Sequence, residues 1–494
     1  MADQLYIACD LGAESGRVML GTLSNGKLTL EEIHRFPNGP TRVLGTLRWN
    51  LLRIFDELKT GLRKLAARGI KAESLSVDSW GVDYAYLGKT QPMLGLPFNY
   101  RDERTDRTYQ PTLDRATPEL IFEETGIQFM SINTIYQLVS DLETQPELLQ
   151  IAERFLHVGD YFNYLFSGVA KVDASNASTS QIYNPRTKTW SKALIEKLGL
   201  PAHIFPEVVP AGTTLGSLLP AVAAETGLPV ETKVVATCSH DTGAAVAAVP
   251  ASGDDWAYLS SGTWSLIGVE LPGPLINEAA AKANFTNEVG YNDTSRFLKN
   301  IAGLWLLQEC RRTWLKEGRD YSYAELNQLA QEAEPLRSLV NPNHAPFAKP
   351  DDMPAKIRAY CEATGQPAPE TPGQFVRCIL ESLALLYSQY IGELESITGR
   401  TIRKLHIVGG GSQSKMLNQF TADAIGLPVL AGPVEATAIG NILVQALGLG
   451  QLDSLEAARK IVHDSFAVET FTPDTESALA KSRERFAVLF LRTV

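Results

Sequence analysis

The segment Ser239 to Gly243 is the part of this sequence best suited to acid–base chemistry. An apolar run, Val234 to Ala236, precedes it and an alanine- and valine-rich run, Ala244 to Val249, follows it, which predicts a strand, a turn and a helix start. Such a turn presents the Asp241 carboxylate beside the free N–H groups of a helix N-terminus, where it can accept a proton from a substrate hydroxyl. Asp is also among the best N-cap residues, so a role as a helix cap alone is the alternative interpretation.

Two further segments predict β-hairpins with small turn residues, and they open the two halves of the chain. Residues 6–20 and 256–269 each consist of a β-rich run, a short turn of small residues and a second β-rich run. Small turn residues allow backbone N–H groups to approach a phosphate closely. The pair predicts two related domains facing each other across a cleft, although either hairpin alone is also compatible with an ordinary turn.

A third candidate site lies at the glycines of residues 409–411. The strand-like run 405–408 leads into these glycines, and the helix pattern that follows is expected to end at Gly426. A strand, a glycine turn and a helix N-terminus in succession are suited to binding a nucleotide or a phosphate. A tight turn without a ligand is the alternative.

Long helices are expected on both sides of this turn. Residues 371–374 resemble a capping box with proline at the first helical position, and apolar residues then recur at helical spacing until Gly399. Residues 432–437 are expected to open another helix. These helices would flank the strand and the glycine turn.

Composition limits the possible classes of protein. The chain has 494 residues, of which 44% are hydrophobic and 20% charged, as expected for a soluble globular protein of two or three domains. A net charge of −11 argues against nucleic acid as a partner, because no basic surface is available to displace counterions from phosphates. The N-terminal residues lack a secretory pattern and no apolar run approaches the length of a membrane span, so we expect a cytoplasmic protein.

The five cysteines fit no Cys-x-x-Cys metal pattern. Cys9 and Cys238 lie in strand-like segments and are expected to be small buried residues. Cys361 and Cys378 flank a proline-rich turn and could meet in space. In a reducing cytoplasm we expect two free thiols there, and a disulfide is the alternative.

At this point the residues resemble the FGGY family of carbohydrate kinases. The first hairpin turn, 10–17, resembles the family's first phosphate hairpin; residues 260–265 resemble the second, and 409–413 resemble its adenosine turn. The resemblance runs nearly end to end, with the motifs in the expected order. It implies an actin-like ATPase fold of two α/β domains on ribonuclease-H-like sheets, with ATP and sugar in the inter-domain cleft. The implied domains are 1–245, on the sugar side with the first phosphate hairpin, and 246–494, on the nucleotide side.

A narrower set of motifs resembles the branch of the family that phosphorylates L-rhamnulose at O1 during L-rhamnose degradation. These motifs are Asp78 to Asp83, Tyr100 to Asp102, Ser239 to Thr242, Lys299-Asn300, Gly303 to Gln308, and Gly432 to Ala436. The family's general first signature expects Lys and Trp near residues 133–137, and neither is present. A kinase for another ketose, such as L-fuculose, and a non-catalytic actin-like nucleotide switch are the two alternatives.

The resemblance also implies roles for individual residues. Asp241 would be the catalytic base, and Asp10 would hold Mg²⁺ through water. The nucleotide-binding residues would be Ala13, Glu14, Ser15, Gly16, Arg17, Thr263, Gln308 and Gly410. The sugar-binding residues would be Gly81, His240, Asp241, Thr242 and Asn300. Asp83 is left open between a sugar ligand and a partner for Arg101. No nucleic acid, membrane or obligate protein partner is implied.

Overall fold

The computed structural model describes residues 3–490 of the chain. The chain divides into two compact units, each assembled from separate stretches of sequence. The first unit comprises Met1–Ser252, Glu270–Phe297 and Ala436–Ser465, and the second comprises Gly253–Val269, Leu298–Glu435 and Phe466–Val494. The boundary between residues 245 and 246 remains a prediction.

The strands are numbered in chain order. They are β1 Gln4–Leu11, β2 Ser15–Ser24, β3 Lys27–Pro37, β4 Thr41–Val43, β5 Thr46–Arg48, β6 Ser74–Ser79, β7 Tyr84–Gly88, β8 Ala152–His157, β9 Val172–Asp173, β10 Tyr183–Asn184, β11 Thr189–Trp190, β12 Val208–Val209, β13 Thr213–Ser217, β14 Lys233–Ala236, β15 Trp256–Ser261, β16 Trp264–Leu271, β17 Thr286–Val289, β18 Ser295–Ala302, β19 Lys404–Val408, β20 Val429–Ala431 and β21 Glu469–Phe471.

The α-helices are numbered in the same way. They are α1 Leu51–Ala67, α2 Arg104–Arg115, α3 Pro118–Thr125, α4 Thr134–Thr144, α5 Pro146–Ile151, α6 Val158–Ser167, α7 Ala174–Thr179, α8 Lys192–Leu198, α9 Pro220–Thr226, α10 Asp241–Ala247, α11 Glu278–Lys282, α12 Trp305–Lys316, α13 Tyr323–Glu332, α14 Met353–Ala363, α15 Pro372–Thr398, α16 Lys415–Ile425, α17 Ala436–Gly448, α18 Leu455–Ser465 and α19 Arg483–Phe490. Short 3₁₀ turns lie at Ala202–Ile204, Tyr291–Asp293, Ala345–Ala348, Gly410–Gln413 and Ala480–Ser482.

Within residues 3–490, the first unit is built on a six-stranded sheet with the order β13-β14-β6-β1-β2-β3. Strands β1, β2 and β3 are antiparallel neighbours, whereas β6 runs parallel to β1 and β14 runs parallel to β6. The inner strand β1 is apolar and fully buried at Ile7, Ala8 and Cys9, as expected for a strand covered on both faces. Because β14, β6 and β1 run in the same direction, their carboxyl ends meet at one edge of this sheet.

In the same described part of the chain, a seven-stranded sheet has the order β17-β18-β16-β15-β19-β20-β21. Here β15 is antiparallel to β16 and parallel to β19, and β20 continues parallel to β19. Both sheets therefore place an antiparallel hairpin beside parallel strands, which is the ribonuclease-H-like arrangement that the sequence predicts.

The local predictions for hairpins and helix ends are confirmed. Residues 6–20 and 256–269 form the β1–β2 and β15–β16 hairpins. Helix α15 begins with the predicted capping box at Thr371 and ends at Gly399, which has a positive φ of 70°. Helix α16 ends at Gly426 and α17 begins at Ala436, as expected. These features were readable because caps, glycines and short turns act locally.

In the part of the chain that the structure describes, the cysteines form no disulfide and the helices include no membrane span. All five cysteines are buried and free, and Cys238 lies in the turn after β14 rather than in a strand. Within residues 3–490, no helix combines the length and the apolar character needed to cross a bilayer.

Candidate active site

The turn that carries Asp241 forms as the sequence predicts, between β14 and α10. His240 is the N-cap residue of α10 and makes no side-chain capping bond, so Asp241 is the first residue of the helix. The alternative in which Asp241 is the N-cap is therefore wrong by one position. The Asp241 carboxylate accepts the Thr242 N–H at 2.5 Å and the Thr242 hydroxyl at 3.1 Å.

Asp241 has the exposure and the electrostatic environment that a base requires. About a third of its side chain, 32%, is exposed, so a substrate hydroxyl can reach it. Burial of the remainder raises the pKa of Asp241, and the charge of Asp10 raises it further, while His240 lowers it. A raised pKa makes the carboxylate a better proton acceptor.

A second carboxylate, which the sequence analysis left without a role, lies beside Asp10. Asp10 and Asp78 are register partners at the ends of the parallel strands β1 and β6. Asp78 is fully buried; its Oδ2 accepts a hydrogen bond from Asn441 at 2.6 Å, whereas its Oδ1 has no hydrogen-bond partner. Burial raises the pKa of Asp78 well above its usual range, and the charges of Asp10 and Asp241 act in the same direction. The signal available in the sequence was a carboxylate next to the end of a strand in which Leu75 and Val77 alternate with serines.

The turn of the β1–β2 hairpin, which was predicted to bind phosphate, is held by hydrogen bonds within its own backbone and to a neighbouring loop. Gly12 N–H donates to Ser15 O at 2.9 Å, and Asn38 binds the carbonyl oxygens of Gly12 and Glu14. A side chain at Gly16 would collide with Phe36, since a Cβ would lie 2.3 Å from that ring. The turn therefore has a fixed shape, as a phosphate-binding turn requires.

Arg17 and Asp10, which were predicted to hold phosphate and Mg²⁺ respectively, form an ion pair with each other. They face one another across the β1–β2 ladder. The pair places a fixed cation beside the phosphate turn and compensates one of the clustered carboxylates.

The residues present fit a magnesium ion that arrives with a nucleotide. No group of three or more His, Cys, Asp or Glu among residues 3–490 could by itself hold a metal ion. Mg²⁺ is typically bound through one or two carboxylates, with waters and substrate phosphates as its other ligands. Asp10, and the unpartnered buried oxygen of Asp78, match that donor set.

Gly81 lies shortly after β6, next to a strained residue. Val82 has a φ of +66°, which is rare for a β-branched side chain and is found where surrounding structure enforces it. Thr179 enforces it here, because its hydroxyl accepts the Val82 N–H at 3.1 Å and its side chain leaves no room for a Cβ at Gly81. The Val82 carbonyl accepts the Thr134 hydroxyl at 2.7 Å.

The carboxylate of Asp83 is bound by four hydrogen-bond donors of the protein interior, and Arg101 is not one of them. This buried carboxylate accepts hydrogen bonds from the indole N–H groups of Trp49 and Trp80, from Tyr100 N and from Gln137. Burial raises the pKa of Asp83 to about 6, although these four donors oppose the shift. Trp80 packs on Trp49 with ring centroids 4.2 Å apart, so its ring is part of the core beside Asp83.

In the second unit, the hairpin turn that carries Thr263 is anchored to the start of α12. The Thr263 carbonyl accepts the N–H groups of Gly303 and Trp305, each at 3.2 Å, and the Gly262 carbonyl accepts Leu304 N–H at 3.0 Å. A Cβ at Gly303 would lie 2.7 Å from the Gly262 oxygen, so only glycine allows this approach.

The glycine turn after β19 lies beside that hairpin, because β15 and β19 are parallel neighbours that end together. A Cβ at Gly411 would lie 2.0 Å from Ser261 Oγ, whereas one at Gly410 would meet nothing within 4 Å. Gly411 is thus required for packing, and Gly410 faces open space. On α12, Gln308 Oε1 is buried without a hydrogen-bond partner, as expected of an acceptor kept for a ligand.

The structure therefore groups the predicted residues within each unit. The first unit holds Asp10, Ala13, Glu14, Ser15, Gly16, Arg17, Gly81, His240, Asp241 and Thr242, and the second holds Thr263, Asn300, Gln308 and Gly410. Asn300 lies on β18, next to β16 in sheet order.

Apart from the additional strand β17, the two sheets have the same strand order, and this is the two-domain α/β architecture of a sugar kinase. The models for the N-terminal and C-terminal domains of the FGGY family of carbohydrate kinases match residues 5–248 and 257–449. The chain belongs to the FGGY family of carbohydrate kinases.

Curated relatives match along nearly the whole chain. The rhamnulokinase of Bacteroides thetaiotaomicron is 43% identical over 96% of this chain and 97% of its own length. The rhamnulokinase of Enterococcus faecalis is 42% identical over 97% of this chain and 96% of its own length. That of Pectobacterium atrosepticum is 43% identical over 99% of this chain and 97% of its own length.

Solved structures support the fold. A ligand-bound xylulose kinase from Lactobacillus acidophilus superposes with a TM-score of 0.80 at 16% identity, over 99% of this chain and 97% of that one. A glycerol kinase from Plasmodium falciparum with ADP superposes with a TM-score of 0.78 at 14% identity, over 100% of this chain and 99% of that one.

Proposed function

We propose that this protein transfers the γ-phosphoryl group of ATP to O1 of L-rhamnulose, giving L-rhamnulose 1-phosphate and ADP in L-rhamnose degradation. The observation that carries the proposal is the consistent name, rhamnulokinase, of relatives that are 42–43% identical over nearly the full length of both chains. The motifs of that branch extend through both compact units of this chain.

Asp241 is the proposed general base. Phosphoryl transfer to a hydroxyl needs positioning, charge neutralisation and an acceptor for the hydroxyl proton. The exposed part of Asp241 can accept the O1 proton, and its raised pKa increases its basicity. A positioned base of this kind contributes roughly 10²–10⁴-fold to the rate.

The phosphates require both backbone donors and cations. Ala13 to Arg17 are proposed to bind the phosphates through backbone N–H groups, the Ser15 hydroxyl and the Arg17 guanidinium. Thr263, on the β15–β16 hairpin, is proposed to bind a phosphate as well. Mg²⁺, held by Asp10 through water with Asp78 nearby, would neutralise charge on the phosphates. Gly410 and Gln308 are proposed to contact the rest of the nucleotide.

The sugar is proposed to be recognised by polar groups. Gly81, His240, Thr242 and Asn300 are the proposed ligands, together with Asp241. Ketose hydroxyls removed from water need paired hydrogen bonds, and a site that supplies them rejects sugars lacking the matching hydroxyls. Residues 1–245 and 246–494 are accordingly proposed as the sugar-side and nucleotide-side domains of a cytoplasmic enzyme without an obligate protein partner.

A panel of ketoses tests the proposal. Coupled ADP release with L-rhamnulose, L-fuculose, L-xylulose and glycerol should give the highest kcat/KM for L-rhamnulose, and ³¹P and ¹³C NMR should locate phosphate on O1. A kcat/KM on L-fuculose equal to or above that on L-rhamnulose would assign a different ketose. Sugar-independent ATP consumption would instead favour the nucleotide switch.

A further inference from the structure

A buried ion pair lies against the side chain of His240. Glu288 on β17 and Arg296 on β18 are both inside the first unit, with exposures of 4% and 0%. Arg296 Nη1 lies 3.1 Å from Glu288 Oε2, and Arg296 Nε donates to the Val289 carbonyl at 3.2 Å. Nε is therefore hydrogen-bonded to the backbone, and Nη1 faces the Glu288 carboxylate in an ion pair that lacks hydrogen-bond geometry.

The third guanidinium nitrogen, Nη2, contacts the imidazole of His240. It lies 3.2 Å from His240 Nδ1 with hydrogen-bond geometry. Because a guanidinium can only donate, Nδ1 must be the acceptor and carries no proton. The proton of the neutral ring is then on Nε2, which lies 3.5 Å from Asp241 Oδ1. Glu288 Oε2 also lies 3.3 Å from Nδ1, but this contact lacks hydrogen-bond geometry, so Arg296 rather than Glu288 is the hydrogen-bond partner of Nδ1, and Glu288 neutralises the Arg296 charge.

We propose that Arg296 is a positioning residue, which holds His240 in the Nε2–H tautomer and so directs an N–H donor toward Asp241 and the bound sugar. The hydrogen bond at one imidazole nitrogen sets which nitrogen carries the proton. Without it, the ring is free to exchange tautomers and to present an acceptor to the same place. The part of this proposal that concerns the sugar rests on the function proposed above.

A contribution to folding stability does not by itself explain why the protein has the buried Glu288–Arg296 ion pair. Replacing a buried ion pair by apolar residues of similar volume is often neutral or stabilising, so a structural role would be served as well by leucine and methionine. What apolar residues cannot supply is a donor to Nδ1.

The tautomer can be measured without any substrate. The chain has seven histidines, and the ring signals of His240 in ¹⁵N-histidine-labelled protein are those absent from the spectrum of H240N. We expect His240 in the wild type to carry its proton on Nε2, and R296M to show the Nδ1–H form as well. R296K, which keeps a donor, should retain Nε2–H. A wild-type ring protonated on Nδ1, or an R296M ring unchanged from wild type, overturns the proposal.

Kinetics test whether Arg296 acts through His240. R296M should raise the KM for L-rhamnulose at least tenfold and leave the KM for ATP within twofold. In the H240N background the same substitution should change the sugar KM less than twofold, because the group it positions is gone. A full tenfold effect in the H240N background overturns the proposal.

Two further variants control for folding. R296M leaves Glu288 without its cation, so R296M/E288Q, which removes both charges, provides a second protein in which the tautomer and the sugar KM should change as in R296M. Arg377 and the buried Glu381 form an ion pair within α15, away from His240, so R377M should leave the sugar KM unchanged. The NMR measurement needs no sugar, so it still tests the His240 tautomer if L-rhamnulose is not a substrate. A failure of the proposed function can therefore be distinguished from a failure of the proposed role of Arg296.

Discussion

Six strands of each sheet follow the same order within residues 3–490, but the sheets present different groups where their parallel strands end. In the first unit, that edge carries carboxylates, Asp10 and Asp78 at register positions and Asp241 in the turn after β14. In the second unit, it carries backbone turns, Gly262-Thr263 after β15 and Gly409 to Gly411 after β19. The same scaffold therefore presents carboxylates at one edge, as the proposed base requires, and turns that allow close backbone approach at the other.

The electrostatic consequences differ between the units. In the first unit, burial raises the pKa of a group of carboxyls, namely Asp78, Asp83, Asp160, Asp173 and Asp241. In the second unit, the restrictions are steric, at Gly303, Gly409 and Gly411. Chemistry that moves a proton needs perturbed charges, whereas a nucleotide turn needs space and N–H groups.

The largest expected effect separates the base from a structural carboxylate. Asp241→Asn should lower kcat by roughly 10²–10⁴-fold, because the amide cannot accept the hydroxyl proton. The thermal midpoint should stay close to that of the wild type, since Asn preserves the acceptor for Thr242. Steady-state kinetics and a melting curve on the same preparation check both, with D464N on the surface of α18 as the matched control. A near-normal kcat in D241N would return Asp241 to a structural role.

The second effect tests steric restriction in the glycine turn. Gly411→Ala should destabilise the protein by about 1–3 kcal/mol and raise the KM for ATP, because the new methyl overlaps Ser261. Gly410→Ala should keep the stability, since its Cβ meets open space, while raising the KM for ATP. G392A on α15, also in open space, is the control and should be neutral or stabilising. Equal melting curves for G411A and G410A would contradict the packing argument.

The third effect uses pH to test the buried carboxyls. The pKa of Asp83 is raised from 3.8 to about 6, so the folded state binds its proton more tightly than the unfolded state. The stabilisation from this group is complete below pH 3.8 and is lost as pH rises through 6, by up to about 3 kcal/mol. Asp83→Asn does not titrate, so the stability advantage of the wild type over D83N should shrink between pH 4 and pH 7. Urea unfolding at several pH values measures this, and an advantage that grows with pH would reverse the sign.

The smallest effect concerns a single hydroxyl. Thr263→Val keeps the carbonyl that binds Gly303 and Trp305, so the turn should fold normally. Losing one hydrogen bond to phosphate, worth about 1 kcal/mol, should weaken ATP binding roughly fivefold. Isothermal titration with a non-hydrolysable nucleotide measures the change, and unaltered affinity would place Thr263 away from the phosphates.

Much of the framework was predictable from the sequence because its signals are local. The hairpin turns, the capping box at Thr371, the glycine end of α15 and the strand–turn–helix that carries Asp241 each depend on residues adjacent in the chain. The alternative in which Asp241 caps α10 was drawn from residue type alone, because Asp is a strong capping residue, whereas the structure places the N-cap at His240.

What the sequence by itself determined was thus the kinase family, through its motifs, together with the two hairpins, several helix ends and the turns that carry the candidate chemistry. Only the tertiary structure showed Asp78 beside Asp10, the four donors around Asp83, and Arg296 against His240. These contacts join residues far apart in the chain, from strands and helices that meet only after the sheet forms. Their energies come from burial and hydrogen bonding in the folded interior, which no local pattern of residues encodes.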